Sequence, residues 1–154
     1  FDPETEADRL IEWLRPLWPA DAPAPTRLVR GVAIWTDQKW PWLSILSLSS
    51  LSALEERIGH PLGLHRWRGN LWVEGWAPFA ERELIGRIIR IGATELRVTD
   101  TIARCDATSA DTRTGARDLD MVATLERLYG HHDFGIFAEV VTGGEIAIGD
   151  GVSA

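Results

Sequence analysis

The chain has 154 residues, 45% hydrophobic and 25% charged, a composition that excludes a disordered polypeptide and suits one globular domain with a single core. A formal net charge of −7 argues against a nucleic-acid partner, which needs a dominant basic surface. Apolar runs are too short for a membrane span, and a single cysteine, Cys105, excludes a disulfide framework and makes a reducing cytoplasm the expected compartment.

Asp2-Pro3-Glu4 has the form of an N-cap followed by proline in the first helical turn. Ala7, Leu10, Ile11 and Leu14 then share one helical face, so a helix is predicted there, closed near Leu14 by Pro16. Pro19, Pro23 and Pro25 among alanines make a stiff connector. Residues 1–25 are therefore read as a helix and linker, and 26–154 as the main domain. Residues 26–35 read as a strand, followed by a loop through Asp37 and Trp40-Pro41 and a strand at 43–47. Ser52 and Glu55 are spaced as a capping box, but the stripe Leu51, Leu54, Ile58 moves the predicted helix start to Ser49 or Ser50, and Gly59 ends it.

From there the pattern is mostly β. Strands are predicted at 70–73 and 85–91, and a Gly92-Ala93 turn leads into 94–99, where Thr94, Leu96 and Val98 alternate with Glu95, Arg97 and Thr99. A polar loop at 106–118 surrounds Thr114-Gly115. Asp118 is the predicted cap of a helix carrying Met121, Val122, Leu125 and Leu128, with Gly130 as its stop. Residues 134–141 and 145–152 are predicted as a final strand pair around Gly143-Gly144. Many short strands without βαβ alternation give a mainly β fold class, a closed or nearly closed barrel with peripheral helices.

Three groups carry candidate chemistry. Cys105 follows Arg104, and a cation beside a thiol favours the thiolate, the form that attacks sulfur or binds a soft metal; the competing reading is a buried cysteine acting as a small hydrophobe. Arg66-Trp67-Arg68-Gly69-Asn70 offers two forked cations, an amide and a glycine that lets backbone approach a ligand; the competing reading is a solvated turn. Thr108, Asp111 and Thr114-Gly115 are placed to wall one side of a pocket. His131-His132, and His60 with His65, do not make a zinc ligand set without a second cysteine. Trp40 and Trp42 leave open a non-catalytic barrel that binds a ligand or partner through aromatic surface.

In chain order, Ser47-Leu48-Ser49-Ser50-Leu51 with Leu54-Glu55, Arg68-Gly69-Asn70, Pro78-Phe79-Ala80-Glu81, Ile91-Gly92, Arg104-Cys105 with Thr108, Thr114-Gly115, Phe134-Gly135 and Gly144-Glu145-Ile146-Ala147-Ile148-Gly149-Asp150 resemble the MOSC domain. That family takes its name from the C-terminal part of molybdenum cofactor sulfurases. Within it the chain looks like bacterial relatives of the mitochondrial amidoxime-reducing component, in which a β-rich segment precedes such a region. A chain that begins at Phe1 is then expected to be a piece lacking that segment.

The resemblance implies a MOSC β-barrel over 26–154 that binds the molybdenum cofactor (molybdopterin). It implies that Cys105 is the catalytic residue and molybdenum ligand, and that Arg68, Asn70, Arg104 and Thr108 bind the cofactor, with Arg104 also holding the thiol ionised. The implied activity is reduction of a small N-hydroxylated substrate, with electrons from an external transfer partner. The alternative is a sulfur carrier whose Cys105 persulfide is loaded by a cysteine desulfurase. The family often has Cys-Ser-Arg-Cys where this chain has Ile102-Ala103-Arg104-Cys105, so Ala103 replaces a serine that contacts the cofactor.

Overall fold

The computed structural model describes residues 1–32 and 39–154, and the chain divides into two compact units, Phe1–Lys39 and Trp40–Ala154. In the first unit, helix α1 spans Ala7–Leu14 and passes into a 3-10 turn, Arg15–Leu17, at Pro16. Its start differs from expectation. The Asp2 carboxylate accepts from the Glu4 N–H at 2.8 Å and the Asp2 carbonyl from the Glu6 N–H at 2.8 Å. Asp2 thus closes a separate turn, and no side chain caps α1. The indole of Trp18 donates to the Pro23 carbonyl at 2.9 Å and braces the proline-rich connector. The strand expected at 26–35 does not form over 26–32, where no strand among the described residues takes up its ladder bonds, and its remaining residues, 33–35, lie outside the described ones.

The second unit contains β1 (Leu43–Ser47), α2 (Leu48–Ile58), β2 (Leu71–Val73), β3 (Ile88–Ile91), β4 (Thr94–Ala103), α3 (Met121–Tyr129), β5 (Asp133–Thr142) and β6 (Val152–Ser153). The strands form one nearly closed, barrel-shaped sheet in the order β2-β1-β5-β4-β3-β6, with helices at its periphery. β1 and β2 run parallel, and every other pairing is antiparallel.

Alternation along the strands splits the core in two, because successive side chains point to opposite faces. Ile45, Ile89, Ile91, Leu96, Val98, Ile136 and Ala138 fill one cluster. Leu46, one residue on from Ile45, joins the other cluster with Leu51 and Leu54 of α2, Met121 and Leu125 of α3, Trp67 and Phe134. Phe134 and Ile136 have the same parity yet serve different clusters. Gly135 between them has φ +87°, and the β4–β5 register shifts between Thr101 and Ala103. This irregularity turns Phe134 out of the barrel face and onto Trp67, ring centroids 4.0 Å apart.

Three boundary expectations are corrected. Ser47, the last residue of β1, caps α2 by accepting from the Ser50 N–H at 3.3 Å, so the helix starts at Leu48 and the Ser52–Glu55 capping box is not used. Asp120, not Asp118, caps α3, accepting from the Ala123 N–H at 3.0 Å. The strand expected at 145–152 shrinks to β6, which pairs with β3 and not with β5 across Gly143-Gly144.

Candidate functional site

Cys105 is exposed, in extended backbone one residue after Arg104, which follows the end of β4. The next residues wind into a 3-10 turn, Asp106–Ser109, held by Thr108: its N–H and its hydroxyl both donate to the Cys105 carbonyl, at 3.1 and 2.8 Å. Thr108 itself is buried. Arg117 makes a two-pronged bond to Asp106, at 2.8 and 2.7 Å, and holds that carboxyl below its ordinary range. The acid beside the thiol is thus paired, which lessens its repulsion of an incoming anion.

Arg104 points inward. Its Nε donates to the Phe134 carbonyl at 2.8 Å and Nη1 to the Trp67 carbonyl at 2.9 Å, with Nη2 also on Phe134. The guanidinium lies 5.6 Å from the Trp67 ring centre. Burial lowers its pKa to about 10, with the neighbouring Cys105 sulfur pulling the other way, so it stays charged at neutral pH. Arg104 therefore ties the end of β4 to the start of β5 and to the turn before β2.

That turn is the second wall of the site. A 3-10 turn, His65–Trp67, ends at Arg68, whose φ of 52° is left-handed and costs a non-glycine residue energy. Arg68 is exposed, as is Asn70. The Asn70 carbonyl oxygen accepts from the Ser44 N–H at 2.9 Å and the Ser44 hydroxyl at 2.8 Å, which fixes the start of β2 against β1 and leaves the amide nitrogen as the outward donor. Gly69 plays a different part from the one expected of it. A Cβ there would overlap the Leu46 side chain and lie 3.3 Å from the Trp72 indole nitrogen, so packing alone already requires a glycine.

Arg66 also departs from the reading of a free fork. It is buried, with Nε on the Leu62 carbonyl at 3.2 Å, Nη1 on the Thr108 carbonyl at 3.0 Å, and both Nη atoms on the Asp118 carboxylate at 2.8 and 2.6 Å. Asp111 and Thr114-Gly115 are absorbed into their own loop, where the Asp111 N–H donates to Ala116 at 2.9 Å and the Gly115 N–H to Asp111 at 2.7 Å. His131 stacks on Tyr129 and meets Arg82, and His132 pairs with Glu126 at 3.1 Å. Among the described residues no three His, Cys, Asp or Glu side chains converge on a metal position. A cofactor-borne metal needs only one protein ligand. The donor set suits such a group: a solvent-facing thiol for a soft metal, the Arg68 cation for anionic oxygens, and an amide donor on Asn70.

The MOSC domain profile matches residues 42–153, more than half of the chain. The chain belongs to the MOSC domain family. Among solved structures, YiiM from Geobacillus stearothermophilus is similar with a TM-score of 0.56 at 17% identity. The match covers 71% of this MOSC chain and 52% of that protein, so the chain spans about half its length. At that identity the likeness speaks for the fold alone. No curated protein matches this chain. No described helix is long and apolar enough to cross a membrane.

Sequence reasoning missed Asp118 as part of the architecture under the site. It carries no local signal, because its partner, Arg66, lies 52 residues away.

Proposed function

We propose that this MOSC domain binds the molybdenum cofactor, with the Cys105 thiolate as the protein ligand to the metal. When bound, the cofactor supplies two-electron redox chemistry at molybdenum. Arg68 holds the anionic part of the cofactor and the Asn70 amide donates to it. Arg104 and Thr108 act from beneath: Arg104 anchors the end of β4 beside the thiol and adds a positive field, and Thr108 fixes the carbonyl of Cys105. In this reading the substrate is a small N-hydroxylated compound, as in the amidoxime-reducing relatives, and electrons come from a separate redox protein. The observation that carries the proposal is the exposed thiol in a turn stitched by buried arginines to the turn bearing Arg68 and Asn70.

The test is metal and pterin content of the full-length protein purified from a host that makes the cofactor. Molybdenum and pterin are expected together in the wild type, both lost in Cys105→Ala and weakened in Arg68→Ala. A wild-type protein with neither overturns the proposal. The same exposure of Cys105 supports a second reading, a carrier that accepts sulfur from a cysteine desulfurase. That reading requires the mass of one added sulfur on the wild type after incubation with such an enzyme and cysteine, and none on Cys105→Ala.

A further inference from the structure

Arg66 crosses between the two walls of the site from the wall opposite to that of Arg104, which reaches the Trp67 carbonyl from beside Cys105. It belongs to the 3-10 turn two residues before Arg68, and its guanidinium reaches the Thr108 carbonyl at 3.0 Å. Thr108 in turn holds the Cys105 carbonyl through its N–H and hydroxyl. Behind it, Asp118 takes both prongs of the fork, and the Asp118 N–H donates to the Ser109 carbonyl at 3.2 Å, in the same turn. The Arg66 side chain is 2% exposed and that of Asp118 35%. A planar fork held in two-pronged contact with a carboxylate fixes direction as well as distance, which a lysine ammonium does not. Nothing else about this pair points to a ligand, since all three guanidinium nitrogens bond to the protein.

We infer that Arg66, aimed by Asp118, is a positioning residue of the site: it sets the Thr108 end of the Cys105 turn at a fixed separation from the Arg68–Asn70 turn. The functional meaning of that separation rests on the cofactor reading above, because one ligand has to meet the thiol and the Arg68 cation together. The positioning itself does not depend on that reading, and its test needs no cofactor.

Because Cys105 is the only cysteine, the separation can be read directly. Nitroxide labels go on Cys105 and on His65→Cys, an exposed position of the Arg66 turn, in the full chain, and dipolar electron spin resonance gives the distance distribution. Asp118→Ala and Arg66→Lys are compared with Ile89→Val, a core variant of the barrel, each at a temperature where circular dichroism shows it folded. The expected result is one narrow distance in the parent and in Ile89→Val, lost in Asp118→Ala and Arg66→Lys. Should Asp118→Ala not fold, Asp118→Asn keeps the shape and removes the charge, and the narrow distance is expected to be lost there too. An unchanged distribution in the Asp118 variants, or equal broadening in Ile89→Val, overturns the inference. A protein that passes this test yet holds no molybdenum or pterin retains the positioning pair and loses only the proposed function.

Discussion

The carboxyl of Glu81 is 1% exposed and faces the Ser50 hydroxyl at 2.9 and 2.8 Å, while the same hydroxyl accepts from the Phe79 N–H at 2.8 Å. Burial raises the Glu81 pKa above the ordinary 4.5, and hydrogen bonds from its own backbone and from Ser50 only partly oppose this. A folded-state pKa above the unfolded one means that the native state binds the proton more tightly. The group's contribution is therefore most favourable below the unfolded value and declines as pH rises through the folded one. Glu81→Gln removes this titration. Urea melts from about pH 4 to about pH 8 should show the wild type losing stability relative to Glu81→Gln as pH rises, and parallel curves would refute the assignment. Ser50→Ala strands a part-buried N–H and a buried carboxyl, and is expected to lower the unfolding free energy by about 1–3 kcal/mol in the same melts.

At the scale of elements, β5 depends on Gly135. An alanine there carries a backbone at φ +87° and a Cβ 2.9 Å from the Ile45 carbonyl and the Leu46 side chain, and 3.3 Å from the Arg104 guanidinium. Strain and overlap together predict a loss of about 2 kcal/mol or more for Gly135→Ala, seen as a lower denaturant midpoint. A variant as stable as the wild type would mean that the irregularity does not need glycine. The sequence made the left-handed stops at Gly59 and Gly130 plain, along with the β1 and α3 stretches, because these rest on local chemistry. It hid the length of β4, which runs four residues past the alternating 94–99 stretch to Ala103, because register shifts against β5 break the period of two. It also hid the partner of β6, since strand pairing is a property of the closed sheet and not of a hairpin turn. In the site, Cys105, Arg68 and Asn70 were legible as candidate groups, but the exposure of Cys105 was not, since a lone cysteine reads equally as a buried hydrophobe. Arg66 and Arg104 read as free cations, because a run of residues shows a charge but not the carbonyls or carboxylate that fold onto it.

For the molecule as a whole, the division at Lys39 and Trp40 is informative about where stability resides. Among the described residues, the strands, the two apolar clusters and the candidate site belong to Trp40–Ala154, and the family match begins at residue 42. The sheet runs from β2 to β6, and among the described residues all its strands lie in the second unit. Its polar scaffolding, from the Ser44–Asn70 bonds to the Arg66–Asp118 and Arg104 networks, is likewise internal to that unit. Cooperativity in a small domain follows from a shared core and satisfied buried polar groups, so residues 40–154 alone are expected to fold. Urea unfolding of that fragment should give one sigmoidal transition with a slope of about 1–3 kcal/mol per molar, as for a small two-state protein. Its Cys105 should react with a thiol reagent at the rate seen in the full chain. A gradual, featureless melt would place part of the core's stability in the first 39 residues.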